Sequence, residues 1–95
     1  MQSDNHIRKV LESDELMSRL AAVEHERWAH WQQYVHDHGE RRDDGSLVVP
    51  AELVARWDAQ IATSYSDLSK EEQQSDQDQV RRYLPIIVDA LTREG

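Results

Sequence analysis

The apolar residues of this 95-residue chain recur at helical spacing, and signals for β-strands are almost absent. Between residues 13 and 38 five apolar side chains recur at steps of 3, 8, 3 and 4, which places them on one face of a helix. They are Met17, Leu20, Trp28, Trp31 and Val35. The β-branched cluster at residues 47–49 is short and ends at Pro50. We therefore predict an all-α protein, a small bundle of three to four helices with at most two short strands.

Capping signals place the helix ends. A first helix is predicted from about residue 4 to 12, and Ser13 or Asp14 can cap a second, which ends near Gly39. Residues 40–49 form a connection with an Asp44-Gly45 turn, and the third helix begins with Pro50 at its first position.

The fourth helix follows a capping box at residues 69–72, in which Ser69 bonds the amide of Glu72 and Glu72 reaches back to the Ser69 amide. Its apolar stripe continues on both sides of Pro85. Because proline removes a helical hydrogen bond and crowds a carbonyl, the last helix is expected to be kinked near Pro85.

Charge and composition exclude several classes of protein. The net charge of -8 argues against nucleic-acid binding, which needs a basic face. The absence of cysteine excludes disulfides and thiolate chemistry. No apolar run approaches the ~20 residues that span a bilayer, and no signal peptide is recognisable, so we expect a cytoplasmic protein that does not bind membranes.

The apolar content is small for a self-sufficient core. Leu, Ile and Val number 20, and Phe is absent. Such a core must draw on Trp28, which we expect to be buried, and it gains from burying more surface in an interface. We therefore predict one domain over residues 1–95 that forms a homodimer or binds a protein partner. The expected surface is on the third helix: Leu53, Val54, Trp57 and Ile61.

Glu24 lies within the apolar stripe of the second helix, four residues after Leu20. A buried carboxylate is costly unless it is paired. It is therefore an ion-pair partner of Arg81, Arg82 or Arg56, a ligand-facing or catalytic carboxylate beside His25, or a side chain that reaches water. The sequence leaves these alternatives open.

Histidines in this helix suggest metal binding only superficially. His25 and His30 are five residues apart, so their side chains diverge by about 140° and cannot form the His-Glu-x-x-His zinc site. His36 and His38 suit the negative end of a helix dipole. We expect no metal, no cofactor and no catalytic residues.

A small ligand is the alternative to a protein partner. Arg41 and Arg42 lie on the long connection, and guanidinium groups bind phosphate bidentately. Aromatic side chains at Trp31, Trp57 and Tyr65 can stack on a base. These residues predict weak candidate contacts for a nucleotide-type ligand.

Two segments resemble the RyR domain, the repeat named for ryanodine receptors, which also occurs in small bacterial and phage proteins. Residues 20–29 contain Leu-Ala, then His25, then Trp28-Ala29. Residues 65–76 resemble the domain's Tyr-x-x-Leu-Ser segment, with Tyr65, Leu68 and Asp76 at matching positions. The similar halves span about residues 16–38 and 64–92.

The middle of the chain departs from that domain. Residues 39–62 supply a loop and a helix where RyR domains carry Gly-Trp-x-Tyr-Gly and Lys-x-His-Pro motifs. The resemblance implies a helical module without known catalysis, in which Trp28, Leu68 and Asp76 define the fold. The resulting expectation is a non-enzymatic interaction module of phage or prophage type; a nucleotide-binding domain or, failing that, a small hydrolase is the alternative.

Overall fold

Helices account for most of the chain in the computed structural model, which describes residues 3–94. The order is α1 (Asp4–Leu11), α2 (Asp14–His38), β1 (Glu40–Arg41), β2 (Leu47–Val48), α3 (Ala51–Ile61), a 3₁₀ turn (Tyr65–Asp67) and α4 (Lys70–Glu94). The two strands form one small antiparallel sheet. The predicted all-α class is therefore confirmed.

Serine side chains begin both long helices. The Ser13 hydroxyl accepts a hydrogen bond from the Leu16 amide at 3.2 Å and donates to the Val10 carbonyl at 2.8 Å. The Ser69 hydroxyl accepts from the Glu72 amide at 3.1 Å, as predicted. It also donates to the Glu72 carboxylate at 2.9 Å. The predicted bond from the Ser69 amide to that carboxylate stays a prediction.

The connection after α2 is a β-hairpin. Glu40 pairs with Val48 and Arg41 with Leu47, while Gly45 adopts a φ of 89° that favours glycine. The predicted Asp44-Gly45 turn is confirmed, and the Asp44 carboxylate accepts from the Ser46 amide at 2.9 Å. Hydrogen bonds between residues close together in the chain therefore hold this connection in a defined turn.

Proline positions differ in part from expectation. Pro50 is the residue before α3, with φ -57° and ψ 142°, and its carbonyl accepts from the amides of Leu53 and Val54. The predicted first helical position is wrong by one residue, because its ψ is extended. Pro85 lies inside the continuous helix α4, and the kink stays a prediction.

The described chain divides into two compact units. Residues 3–27 and 76–94 form the terminal unit, and residues 28–75 form the central unit. Helices α2 and α4 each contribute to both. The single domain over residues 1–95 stays a prediction.

The core of the terminal unit takes one side chain from each of three helices. Val10, Leu16 and Ala90 are buried, and Leu20, Ile86 and Leu91 pack against them. Leu16, at 2% exposure, is the most deeply buried. These side chains pack α1, the first half of α2 and the end of α4 against one another.

Trp28 was expected in the core, and this expectation is wrong. Its side chain is 54% exposed. On a helix of 3.6 residues per turn Trp28 lies about 120° around from Leu16, whereas Leu20 lies about 40° away. The buried face of α2 is therefore centred on Leu16, and the predicted apolar stripe lies at the edge of that face.

No helix within residues 3–94 combines the length and the apolar character needed to cross a membrane.

Candidate functional site

Glu24 is the centre of a polar cluster in the terminal unit. Its carboxylate accepts hydrogen bonds from Arg27, one turn later on α2, and from the Tyr83 hydroxyl on α4. The Arg27 Nε–Glu24 Oε2 distance is 3.2 Å. We call Glu24, Arg27 and Tyr83 the Glu24 cluster. Glu24 is therefore ion-paired, but with an arginine of its own helix.

Two of the three arginine partners predicted for Glu24, Arg81 and Arg82, bind other carboxylates. Arg82 donates to Glu26 at 2.6 Å and Arg81 donates to Asp78 at 3.0 Å. The sequence prediction named arginines of other helices only. It missed Arg27, although a spacing of three residues on one helix is a signal for such a pair.

Hydrogen bonds control the protonation of the Glu24 cluster. The bond from Arg27, followed by the bond from Tyr83, lowers the pKa of Glu24 from 4.5 to about 2. The bond to Glu24 raises the pKa of Tyr83 above its usual value. A carboxylate with so low a pKa is a weak base at neutral pH, which favours a structural role over proton transfer.

Aromatic residues form a second cluster, in the central unit. The rings of Trp31 and Trp57 meet edge to face with centroids 5.3 Å apart, and Trp31 stacks on Tyr34 at 5.5 Å. Tyr34 in turn stacks on His38 at 4.0 Å. The sequence prediction did not include Tyr34. Its spacing of three residues from Trp31 is a signal that the two rings lie on the same helix face. The structure brings together two of the candidate ligand contacts, Trp31 and Trp57.

The other candidate ligand contacts also lie in the central unit. Arg41 is exposed on β1 and donates to the Gly45 carbonyl at 3.4 Å, while the Arg42 amide donates to the Ser46 carbonyl at 2.8 Å. Tyr65 begins the 3₁₀ turn, is 48% exposed, and its carbonyl accepts from Gln73 at 2.9 Å. Turn formation thus accounts for the observed backbone contacts of these residues.

Residues characteristic of the RyR domain are spread over both units. His25 is exposed on α2, and Leu68 is half-buried directly after the 3₁₀ turn. Asp76 is exposed on α4. Of these, Leu68 has the burial expected of a residue that defines the fold, whereas exposure of Trp28 and Asp76 leaves that role a prediction.

Side chains that could bind a metal ion do not cluster in the described part of the chain. No group of three or more His, Asp or Glu side chains within residues 3–94 is placed to hold a metal ion. His30, His36 and His38 are exposed on α2. The expectation that no metal is required stays a prediction.

A cleft in the terminal unit was not predicted. It has a volume of about 180 Å³ and lies beside the buried core residues. Its walls include His6, Lys9, Arg19 and Arg93. The sequence carries no short motif for it, because the residues come from helices more than 70 positions apart in the chain.

Comparisons with protein-family models, with curated proteins and with solved structures found no match to this chain. The resemblance to the RyR domain therefore stays a prediction.

Proposed function

We propose that this chain is a non-enzymatic interaction module that forms a homodimer through α4. The main support for this proposal is a row of exposed apolar side chains on α4, which we call the α4 row. Val80, Leu84 and Val88 are 53%, 49% and 57% exposed. Each lies four residues from the next, so the three share one helix face. Exposed apolar side chains that adjoin one another, rather than lying singly, indicate a candidate protein-contact surface.

The α4 row suits a second copy of the same chain. Val80 and Val88 lie symmetrically on either side of Leu84. A twofold axis at Leu84, with the helices antiparallel, places Val80 of one copy against Val88 of the other. Twofold pairing of one patch with itself is the commonest symmetry among homo-oligomers.

Charge also favours self-pairing on this face. Within about 60° of Leu84 the helix carries, between residues 77 and 91, one charged side chain, Arg81, and no carboxylate. The chain has 19 acidic residues and a net charge of -8. Pairing here keeps the acidic groups of the two copies away from the contact.

The structure makes the α3 surface a weaker candidate than sequence analysis suggests. Val54 and Ile61 are 41% and 82% exposed. Leu53 and Trp57 are half-buried, and Trp57 contacts Trp31. The exposed part of α3 is therefore two separated residues, whereas the α4 row is continuous.

A non-enzymatic role is supported by the Glu24 cluster. Its carboxylate is held by two donors and has a pKa of about 2, so it does not supply a base matched to neutral pH. The nucleotide-type alternative is less well supported, because the Trp31 ring is in contact with both Tyr34 and Trp57.

Sedimentation of two matched variants tests the proposal. We expect the wild type to sediment at twice 11.1 kDa at micromolar concentration, Leu84→Glu as a monomer, and Val54→Glu like the wild type. Circular dichroism checks that Leu84→Glu remains helical. A monomeric wild type overturns the homodimer; a monomeric Val54→Glu beside a dimeric Leu84→Glu moves the interface to α3.

Cysteine cross-linking tests the twofold axis, since the chain has no native cysteine. Leu84→Cys should oxidise to a disulfide-linked dimer. Val80→Cys alone should not, because antiparallel copies of that position are displaced by about 12 Å along the helices. A mixture of Val80→Cys and Val88→Cys should form the mixed dimer. Efficient cross-linking of Val80→Cys with itself would contradict the antiparallel arrangement.

A further inference from the structure

We infer that α1 is a strap that opens as a unit, while α2 and α4 stay folded and paired beneath it. The inference is independent of the homodimer, because it rests on different residues. Opening uncovers the core face of the terminal unit, where Leu16 and Ala90 are 2% and 6% exposed with α1 in place. A segment of a protein opens separately when few contacts hold it to the rest of the fold.

Polar side chains join α2 to α4 without any contribution from α1. Leu20 of α2 and both Ile86 and Leu91 of α4 also pack on the shared core. The α2–α4 pair therefore keeps these contacts when α1 leaves. The polar pairs are Glu15–Arg93 at 3.3 Å, Arg19–Asp89 at 3.1 Å, Glu26–Arg82 at 2.6 Å and Glu24–Tyr83.

Comparable polar contacts are missing from α1. Within the described residues, no side chain of Asp4–Leu11 forms a hydrogen bond or an ion pair with α2 or α4. Val10 is the buried side chain of this helix, and His6 and Ile7 are half-buried. The docking of α1 on the other two helices therefore depends chiefly on the packing of Val10.

His6 weakens that docking. Its Nε2 atom has almost no accessible surface and has no hydrogen-bond partner within residues 3–94. A buried polar atom without a partner costs the free energy of removing it from water, and the cost ends when water reaches the atom again. Opening of α1 therefore relieves a cost that the docked position carries.

Unfilled space beside α1 acts in the same direction. The cleft of about 180 Å³ has walls from all three helices, among them Lys9 of α1, Arg19 of α2 and Arg93 of α4. Side chains that border such a space lack the van der Waals partners that close packing would supply. The docked position of α1 is therefore weakly favoured over the open one.

Ser13 is suited to be the hinge. Its hydroxyl accepts from the Leu16 amide at 3.2 Å, a bond that caps α2 whether or not α1 is docked. The helix before it has 8 residues. Isolated helices shorter than about 12–15 residues are marginal in water, so α1 should lose its helical bonds together when it leaves the core.

Native-state hydrogen exchange of the full chain, followed by NMR over a series of low urea concentrations, tests the strap. We expect the amides of residues 7–12 to share one protection factor, at least about 100-fold below those of Leu20 and Ile86. Their exchange should accelerate with urea, because a cooperative opening exposes surface. Equal protection of α1 and α2 would overturn the inference, as would protection that grades along α1 without urea dependence, which is fraying.

Matched variants identify which contacts the opening breaks. Val10→Ala removes packing of the docked α1 and should accelerate exchange of residues 7–12 at least about tenfold. Glu24→Gln weakens the α2–α4 pair, which the docked and open states share. It should accelerate exchange at Leu20 about threefold and leave residues 7–12 unchanged. Equal acceleration at both places would show that α1 opens only with the whole unit, and would overturn the strap.

His6→Phe tests the buried nitrogen and remains informative if Val10→Ala does not fold. Phenylalanine and histidine have similar helix propensities, so the change reports on the loss of Nε2 rather than on the helix itself. We expect exchange of residues 7–12 to slow about fivefold. Unchanged or faster exchange would overturn the role of His6 in weakening the docking.

Discussion

Leu16 and Trp28 share helix α2, yet their exposures are 2% and 54%. Removing a fully buried leucine side chain leaves a cavity, so Leu16→Ala should cost about 2–5 kcal/mol of unfolding free energy. Trp28→Ala removes half-exposed surface and should cost about 1 kcal/mol. Urea denaturation of the two variants measures both. A larger loss for Trp28→Ala than for Leu16→Ala would contradict the exposed position of the tryptophan.

The lowered pKa of Glu24 predicts that the stability of the fold depends on pH. Its pKa falls from 4.5 to about 2 on folding, chiefly through the Arg27 hydrogen bond. Because the folded pKa is the lower one, Glu24 stabilises the fold fully above about pH 4.5 and loses that contribution as pH falls toward 2. The stability difference between wild type and Glu24→Gln should therefore shrink between pH 5 and 2.

Thermal melts at several pH values measure that difference. Tyr83→Phe removes one of the two donors, so the pH at which the contribution of Glu24 is lost should move upward. Asp78→Asn is a control for general surface charge, since Asp78 pairs with Arg81 on the exposed side of α4. A pH-independent difference for Glu24→Gln would contradict the cluster.

At the scale of the element, α4 depends on its first turn. The Ser69 hydroxyl caps the Glu72 amide, and Ser69→Ala should cost about 1 kcal/mol. Ser75→Ala, in the interior of the same helix, is the matched control and should be neutral or slightly stabilising because alanine favours helix. Chemical denaturation distinguishes the two. Equal effects would indicate that the cap contributes nothing to folding.

Gly39 and Gly45 have separate roles in the hairpin element. A Cβ at Gly39 would lie 2.7 Å from Cγ of Leu47, so this glycine permits close packing. At Gly45 a Cβ meets nothing within 4 Å, but φ is 89°. Gly45→Ala should therefore destabilise the turn by about 1 kcal/mol through backbone strain alone. Loss of the hairpin amide shifts in NMR measures the effect, and Gly45→Asn, which tolerates this φ, should retain more of them.

At the scale of the whole molecule, the net charge of -8 opposes the proposed association of two copies. Salt screens that repulsion, since the Debye length falls from about 10 Å at 0.1 M to about 3 Å at 1 M. The dimer dissociation constant should therefore decrease about tenfold from low to high ionic strength. Sedimentation over a salt series measures it. Weakening with salt would instead indicate that ion pairs hold the contact.

Local signals accounted for much of the fold and less of the site. The Ser13 and Ser69 caps and the Asp44-Gly45 turn depend on groups within a few residues of one another, and each was predictable. The sequence indicated Trp31 and Trp57 as candidate ligand contacts, but it did not predict that they touch each other. Arg27, Tyr34 and the cleft were missed, because their importance depends on which neighbours the fold supplies.

The helical class, the helix ends and the acidic charge can be predicted from the amino-acid sequence, since backbone hydrogen bonding and capping act over short distances and charge follows from composition. The buried face of α2, the donors that bond Glu24 and the residues that line the cleft depend instead on how the helices pack against one another. Met17, Leu20 and Trp28 look equivalent as apolar residues at near-helical spacing. Angles of 40° and 120° from Leu16 separate core from surface, and such differences depend on the neighbouring helix rather than on the local chain.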